Sequence, residues 1–343
     1  MKLKLFFPVF ALLLFAAQSA FTLTRSPFFE RWLNPGEELT TETLKRLLDI
    51  AKEDPDAYNL VQTAATRLNA ASPDELITIV KLCPEVGFGE FRTSTSTLSA
   101  EPSRDWNQAI EENPELKEKV SRAYETAETR TPTRAILKIL TELTICINPD
   151  HTLLQSYATL IHELAHYRGY SFFNDRQDPL DFNGLEDYLA KVIRMPGGEL
   201  EAYSIQYRAL KRLKAMTRLP YSDSLEVFFT DKGDVVNENK LADFILNTHV
   251  NGDYRKSLTT NFTNLVVSDY NSTIRDYNLN VSEYRPRAKR NLAIVTRNGN
   301  RQQQEYYANY LAALDAEIEA QTARLEELKN RFGDLIVVNT TGP

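Results

Sequence analysis

Apolar positions recur at helical spacing along much of this 343-residue chain. From Glu37 to about Leu82 the pattern is helical: Leu44, Leu47, Leu48 and Ala51 share a face. Within that stretch, Ser72-Pro73-Asp74-Glu75 has the form of a capping box with proline at the first helical position. Gly87 to Ser99 carries glycines and many Ser and Thr residues, and reads as loop or short strands. Helices are predicted at about 103–112 and 114–129, the second opening on Asn113-Pro114-Glu115. Thr133 to Leu140 reads as a helix or as the start of an extended run. Leu143-Thr144-Ile145-Cys146-Ile147 is a β-favouring pentad, stopped by Asn148-Pro149-Asp150.

A helix is predicted next from His151 to Tyr167, with Leu153, Leu154, Tyr157, Leu160, Ile161 and Leu164 on its apolar side and Gly169 as its stop. The polar stretch 175–198 holds a short helix around Leu185–Ile193, and another helix spans Glu199 to about Met216. One or two short elements are expected from Leu225 to Asn247. Residues 250–298, rich in Asn, Thr, Ser and Tyr, show no pattern that assigns them. From Asn300 to Phe332, Leu311, Leu314, Ile318, Leu325, Leu328 and Phe332 follow three-four spacing, interrupted by Gln321. That is a short coiled-coil seam, which either packs back on its own chain or joins two copies as a homodimer.

The fold expected is α+β and predominantly α-helical, with a small sheet and a long C-terminal amphipathic helix. Its regions are a signal peptide over 1–19, an N-terminal helical region over 20–130, a metal-binding core over 131–220, a mixed region over 221–298 and a helical arm over 299–333. The first of these rests on Met1-Lys2-Leu3-Lys4, the apolar run Leu5–Ala17 and the small residues of Ala17-Gln18-Ser19, which together read as a cleavable secretory signal. A periplasmic or secreted protein is therefore expected, with no membrane span once the signal is removed. The formal charge of −7 argues against a nucleic-acid partner, and no Lys/Arg cluster stands out along the chain. Cys83 and Cys146 could form one disulfide or remain two buried thiols.

The chemistry concentrates in His162-Glu163-Leu164-Ala165-His166, an HExxH sequence that uses two of the four histidines. Residues four apart share a helix face, so both imidazoles can reach one metal ion, and Glu163 sits one step round. Zinc-assisted hydrolysis needs that set: neutral imidazoles as ligands, an open position for water, and a carboxylate to take its proton. A third protein ligand is required. The three-histidine pattern HExxHxxGxxH is excluded because its last position is Phe172, although Gly169 fits. The alternative is a glutamate from a later helix, and both Glu199 and Glu201 stand in Glu199-Leu200-Glu201-Ala202-Tyr203. At about 100° per residue, Glu199 shares the buried arc with Tyr203, Gln206, Leu210 and Leu213, while Glu201 falls beside Arg208 and Arg212. Glu199 is the choice. Tyr203 could support a ligand histidine, stabilise an oxyanion, or simply fill the core. His249, His151, Asp181, Glu186 and Asp187 are weaker ligand candidates.

Over Leu143 to Leu213 the order of strand, HELAH helix and glutamate-bearing helix resembles the gluzincin branch of the zincin metallopeptidases, and no narrower family. That resemblance implies zinc held by His162, His166 and Glu199, with Glu163 as general base and then proton donor. It implies a peptide or protein substrate, laid in extended form along the strand Leu143–Ile147 as an edge. Two rival readings stand beside it. One is an inactive zincin-fold envelope protein that binds or scaffolds; the other is a zinc amide hydrolase acting on cell-wall material.

Overall fold

Thr40 caps the first helix by accepting from the Thr43 amide at 3.3 Å, and the Thr43 hydroxyl accepts in return from the Thr40 amide. The structure, a computed structural model, describes residues 40–87, 89–100, 105–131, 134–170, 177–217 and 223–340. The expected signal peptide, the residues before Thr40 and Phe172 lie outside them. In chain order the elements are α1 (Thr41–Glu53), α2 (Pro55–Arg67), a 3-10 turn (Pro73–Thr78), β1 (Val80–Leu82), β2 (Gly89–Ala100), α3 (Trp106–Glu112), α4 (Pro114–Ser121), β3 (Glu125–Arg130) and β4 (Ala135–Ile147). Then come α5 (Leu153–Gly169), α6 (Leu185–Val192), α7 (Glu199–Thr217), α8 (Glu238–Asn247), α9 (Asp253–Leu279), a π-helical turn (Asn280–Tyr284), α10 (Arg285–Arg297) and α11 (Arg301–Thr340).

Several expectations are corrected here. The helical reading to Leu82 ends in a strand, β1, because Val80 to Leu82 finds a partner in β4. Ser72 makes no side-chain cap bond; Glu75 instead accepts from the Ala71 amide at 3.2 Å. Gly89 to Ala100 is one strand of 12 residues rather than loop or short strands. The helix expected to reach residue 129 stops at Ser121, and β3 takes over. Thr152 and Gln155 form the capping box of α5: the Gln155 amide donates to Thr152 Oγ1 at 3.3 Å, and the Thr152 amide donates to Gln155 Oε1 at 3.0 Å. That fixes its start at Leu153.

Strand order is β1-β4-β2, with β3 also on β4. Val80–Leu82 runs parallel to Ile145–Ile147, and Glu125–Arg130 runs antiparallel to Ala135–Leu140. Burial alternates along the first half of β4, then becomes continuous over Leu143–Ile147. A run buried on both faces belongs in the interior of a sheet. The pentad is therefore not a free edge: β1 pairs with Ile145–Ile147 on one side, and β2 is the terminal strand on the other.

The chain divides into two compact units, each assembled from several segments. The first comprises residues 1–92, 144–169 and 196–241. There α1, α2 and α7 pack on α5, and Leu44, Leu47, Leu60, Val61, Leu160, Ile161 and Leu164 are buried. A disulfide joins Cys83, just after β1, to Cys146 in β4, with Cα atoms 5.3 Å apart.

The second unit comprises residues 93–143, 170–195 and 242–343. Trp106, Ala109, Leu116, Ala135, Leu137 and Ile139 form one of its apolar clusters. The stretch 250–298 that showed no pattern is mostly helix: Leu258, Phe262, Val266, Tyr270 and Thr273 bury one face of α9. The C-terminal seam packs on α9 and α10 of its own chain, burying Leu314, Leu328 and Phe332. Its interrupting Gln321 accepts from Asn280 Nδ2 at 3.1 Å, which satisfies an otherwise buried amide. No helix among the described residues is long and apolar enough to cross a membrane.

Candidate metal centre

Two helices of the first unit bring the predicted ligands together. His162 and His166 lie one turn apart on α5, and Glu199 is the first residue of α7. His162 Nε2 is 2.9 Å from His166 Nε2 and 3.1 Å from Glu199 Oε2, and His166 Nε2 is 3.5 Å from Glu199 Oε1. Tetrahedral ligands at about 2.0–2.1 Å from zinc sit about 3.3 Å from one another. The spacing fits. Among the described residues these three side chains form a group that could hold a metal ion, and His151, His249, Asp181, Glu186 and Asp187 are not in it. Glu186 pairs instead with Arg255, and Asp187 with Lys191.

The far sides of both rings are engaged. His166 Nδ1 is 2.6 Å from the carbonyl oxygen of Gly197, which can only accept, so Nδ1 carries the proton. His162 Nδ1 is 2.9 Å from Gln206 Oε1. Both Nε2 atoms thus face each other and a carboxylate. Two imidazole nitrogens and a carboxylate converge within about 3.5 Å of one another, a donor set that could hold a metal ion. Sequence reasoning placed Gln206 on the buried arc of α7 without giving it a task, and missed Gly197. The signal for Gln206 was available: a polar side chain on a buried helix face needs a partner.

Glu201 has different work. Its Oε2 accepts from the Gly197 amide at 2.6 Å, at the start of α7, and its Oε1 pairs with Arg168. The neighbours expected for it are elsewhere, Arg208 with Asp234 and Arg212 with Asp54 and Asp56. Tyr203 is half-buried, and its ring meets that of His162 edge-on with centroids 4.4 Å apart. Tyr203 is a wall of the site, not part of the core.

Gly169 does more than end α5. A Cβ on it would come within 2.2 Å of Gly197 Cα, so the backbones of the two ligand-bearing segments touch. Gly197 itself has φ +74°, a left-handed conformation that glycine adopts without strain.

Glu163 is buried and lies against the start of β2, where a Cβ on Gly89 would be 2.9 Å from its Oε1. Two contacts give β2 its direction: Gly89 lies against the Cys146 carbonyl, and Thr141 Oγ1 donates to the Ser94 carbonyl at 3.2 Å. As β2 advances β4 recedes, so the two are antiparallel.

Burial pushes the Glu163 carboxyl above its usual range, with Glu199 and Glu90 adding to the rise and the two imidazoles opposing it. Burial would also raise Glu199, but His166 and His162 outweigh it and hold that carboxyl below its usual range. Burial disfavours charge on His166, yet Glu199 and Glu163 push it up to about 10. The two carboxylates are driven apart, Glu163 upward by burial and Glu199 downward by the neighbouring imidazoles.

No protein-family model, no curated protein and no solved structure matches this chain.

Proposed function

We propose that the protein is a zinc-dependent metallopeptidase of zincin type, hydrolysing peptide bonds outside the cytoplasm. The observation that carries this is the meeting of His162 Nε2, His166 Nε2 and Glu199 at one point, with the His166 Nδ1 proton committed to the Gly197 carbonyl. Zinc held by those three residues would polarise a scissile carbonyl and acidify water. Glu163, at its Oε1 beside Gly89, takes a proton from water and returns it to the leaving amine nitrogen. Its raised pKa suits both halves of that exchange. Tyr203, stacked edge-on against His162, fixes that ring and is placed to steady the developing oxyanion. An extended substrate adds to the outer edge of β2 at Gly89–Arg92, so its backbone runs past Glu163. The Cys83–Cys146 disulfide and the basic-then-apolar start of the chain support an oxidising, extracytoplasmic setting.

The test compares wild type with Glu163→Gln on protein, peptide and cell-wall substrates. Glu163→Gln should keep its zinc and lose roughly 10²–10⁴-fold in turnover. Equal turnover in the two proteins ends the peptidase reading. Turnover of cell-wall amides alone replaces the peptide substrate with that class.

A further inference from the structure

We propose that the exposed face of α10, with the turn into α11, docks onto an anionic phospholipid bilayer. The reading of the chain as free of a Lys/Arg cluster is corrected here, since Arg285-Pro286-Arg287-Ala288-Lys289-Arg290 is a basic run within the second unit. Helix α10 carries Arg285, Arg287, Lys289, Arg290 and Arg297, and α11 opens with Arg301. Glu305 is the only acidic residue from Arg285 to Tyr310. Arg285 pairs with Asp315 at 2.5 Å. Arg287, Lys289, Arg290, Arg297 and Arg301 are exposed and have no ion-pair partner among the described residues. Cations of the same unit on α4 and at its C-terminal cap behave differently, since Lys117, Lys119 and Arg122 each hold a glutamate.

Arg287, Arg290, Ile294 and Arg297 recur at three- and four-residue steps, so they form one stripe on the helix. Gly299, at φ +71°, then reverses the chain and brings Arg301 to the same turn. Like charges this close repel one another, and an anionic surface relieves that repulsion. Exposed apolar side chains near the stripe in sequence choose among anionic partners. Ile294 is 54% exposed and Tyr306 is 61% exposed, both within about two helical turns of Gly299. A phosphate backbone gives them nothing to bury in, whereas a bilayer surface accepts charge and apolar side chains together. This inference is independent of the metal centre.

The test is co-sedimentation of the full chain with phosphatidylglycerol–phosphatidylcholine vesicles and with pure phosphatidylcholine vesicles, at about 0.1 M salt. One variant combines Arg287→Gln, Arg290→Gln, Arg297→Gln and Arg301→Gln. A charge-matched control combines Lys117→Gln, Lys119→Gln, Arg122→Gln and Lys256→Gln. Wild type and control should bind the anionic vesicles alike and ignore the neutral ones, while the stripe variant should lose on the order of 10²-fold in affinity. Ile294→Ser, which leaves every charge in place, should lose severalfold on vesicles and nothing on duplex DNA. Equal binding by the stripe variant and the control, or no preference of wild type for anionic lipid, overturns the proposal. So does an unaltered vesicle affinity for Ile294→Ser, or tighter binding of wild type to DNA than to vesicles.

Discussion

Gly169 and Gly197 meet backbone to backbone: a Cβ on Gly169 would lie 2.2 Å from Gly197 Cα, and one on Gly197 would lie 2.7 Å from Gly169 Cα. That contact sets how closely the end of α5 approaches the start of α7, and the Gly197 carbonyl in turn holds His166. Gly169→Ala should therefore push the two ligand-bearing helices apart. It should cost about 1–3 kcal/mol in stability and weaken zinc binding as well. Thermal unfolding and chelator competition measure the two effects; an unchanged zinc affinity would show that the approach is not what positions the ligands.

Glu199 and Glu201 should separate cleanly. Glu199→Ala removes a ligand and should abolish stoichiometric zinc in the purified protein. Glu201→Ala leaves the three ligand atoms in place and removes the partner of the Gly197 amide and of Arg168. It should keep zinc and lower stability by roughly 1–2 kcal/mol. Zinc retained by Glu199→Ala and lost by Glu201→Ala would reverse the ligand assignment.

Gln206 turns the His162 ring through a 2.9 Å contact to Nδ1. Replacement by leucine keeps the volume and removes the acceptor. Metal affinity should fall about 10–100-fold with the fold intact, and Gln206→Glu, which restores an acceptor, should recover most of it. Competition titrations against a chromophoric chelator read this directly.

Asp178 ties the second unit together through a two-pronged bond with Arg324, at 2.8 and 2.9 Å. Burial would raise its pKa, but the bonds from Arg324 and the Leu180 amide outweigh that and hold it below the usual value. A depressed carboxylate contributes stability above its unfolded pKa, and that contribution disappears as pH falls through the folded one. Asp178→Asn should thus be less stable than wild type at neutral pH by about 1 kcal/mol, since the pair is partly exposed. The gap should close below about pH 3–4. Denaturant midpoints of both proteins across that range provide the measurement.

Much of the first unit was legible because its helices carry their own periodicity. Leu160, Ile161 and Leu164 announce α5, and the arc of Glu199, Tyr203 and Gln206 announces the buried side of α7. What stayed hidden was set by partners distant in sequence. Val80–Leu82 is too short to declare itself a strand, and becomes one only against Ile145–Ile147. Gly89 to Ala100 is Ser- and Thr-rich and mostly wet, so its length in the sheet came from β4 rather than from its own pattern. Helix α9 was masked differently: its buried positions keep helical spacing, but Asn, Thr and Ser fill the rest and dilute the signal. The interior position of Leu143–Ile147 could have been read, because an unbroken apolar run already implies cover on both faces.

The interleaving of the two units has a consequence for how the protein is made. His162, His166 and Glu199 belong to a unit whose segments begin within residues 1–92 and finish at Leu241. An excerpt around the HELAH helix must run from α1 at Thr41 to Phe229 before it contains both the α1 and α2 packing surface and the Tyr207–Phe229 stack, whose rings lie 4.0 Å apart. A chain emerging from the ribosome has both histidines long before it has the surroundings that hold them. The proposed metal site is therefore complete only after about seven-tenths of the polypeptide has been synthesised.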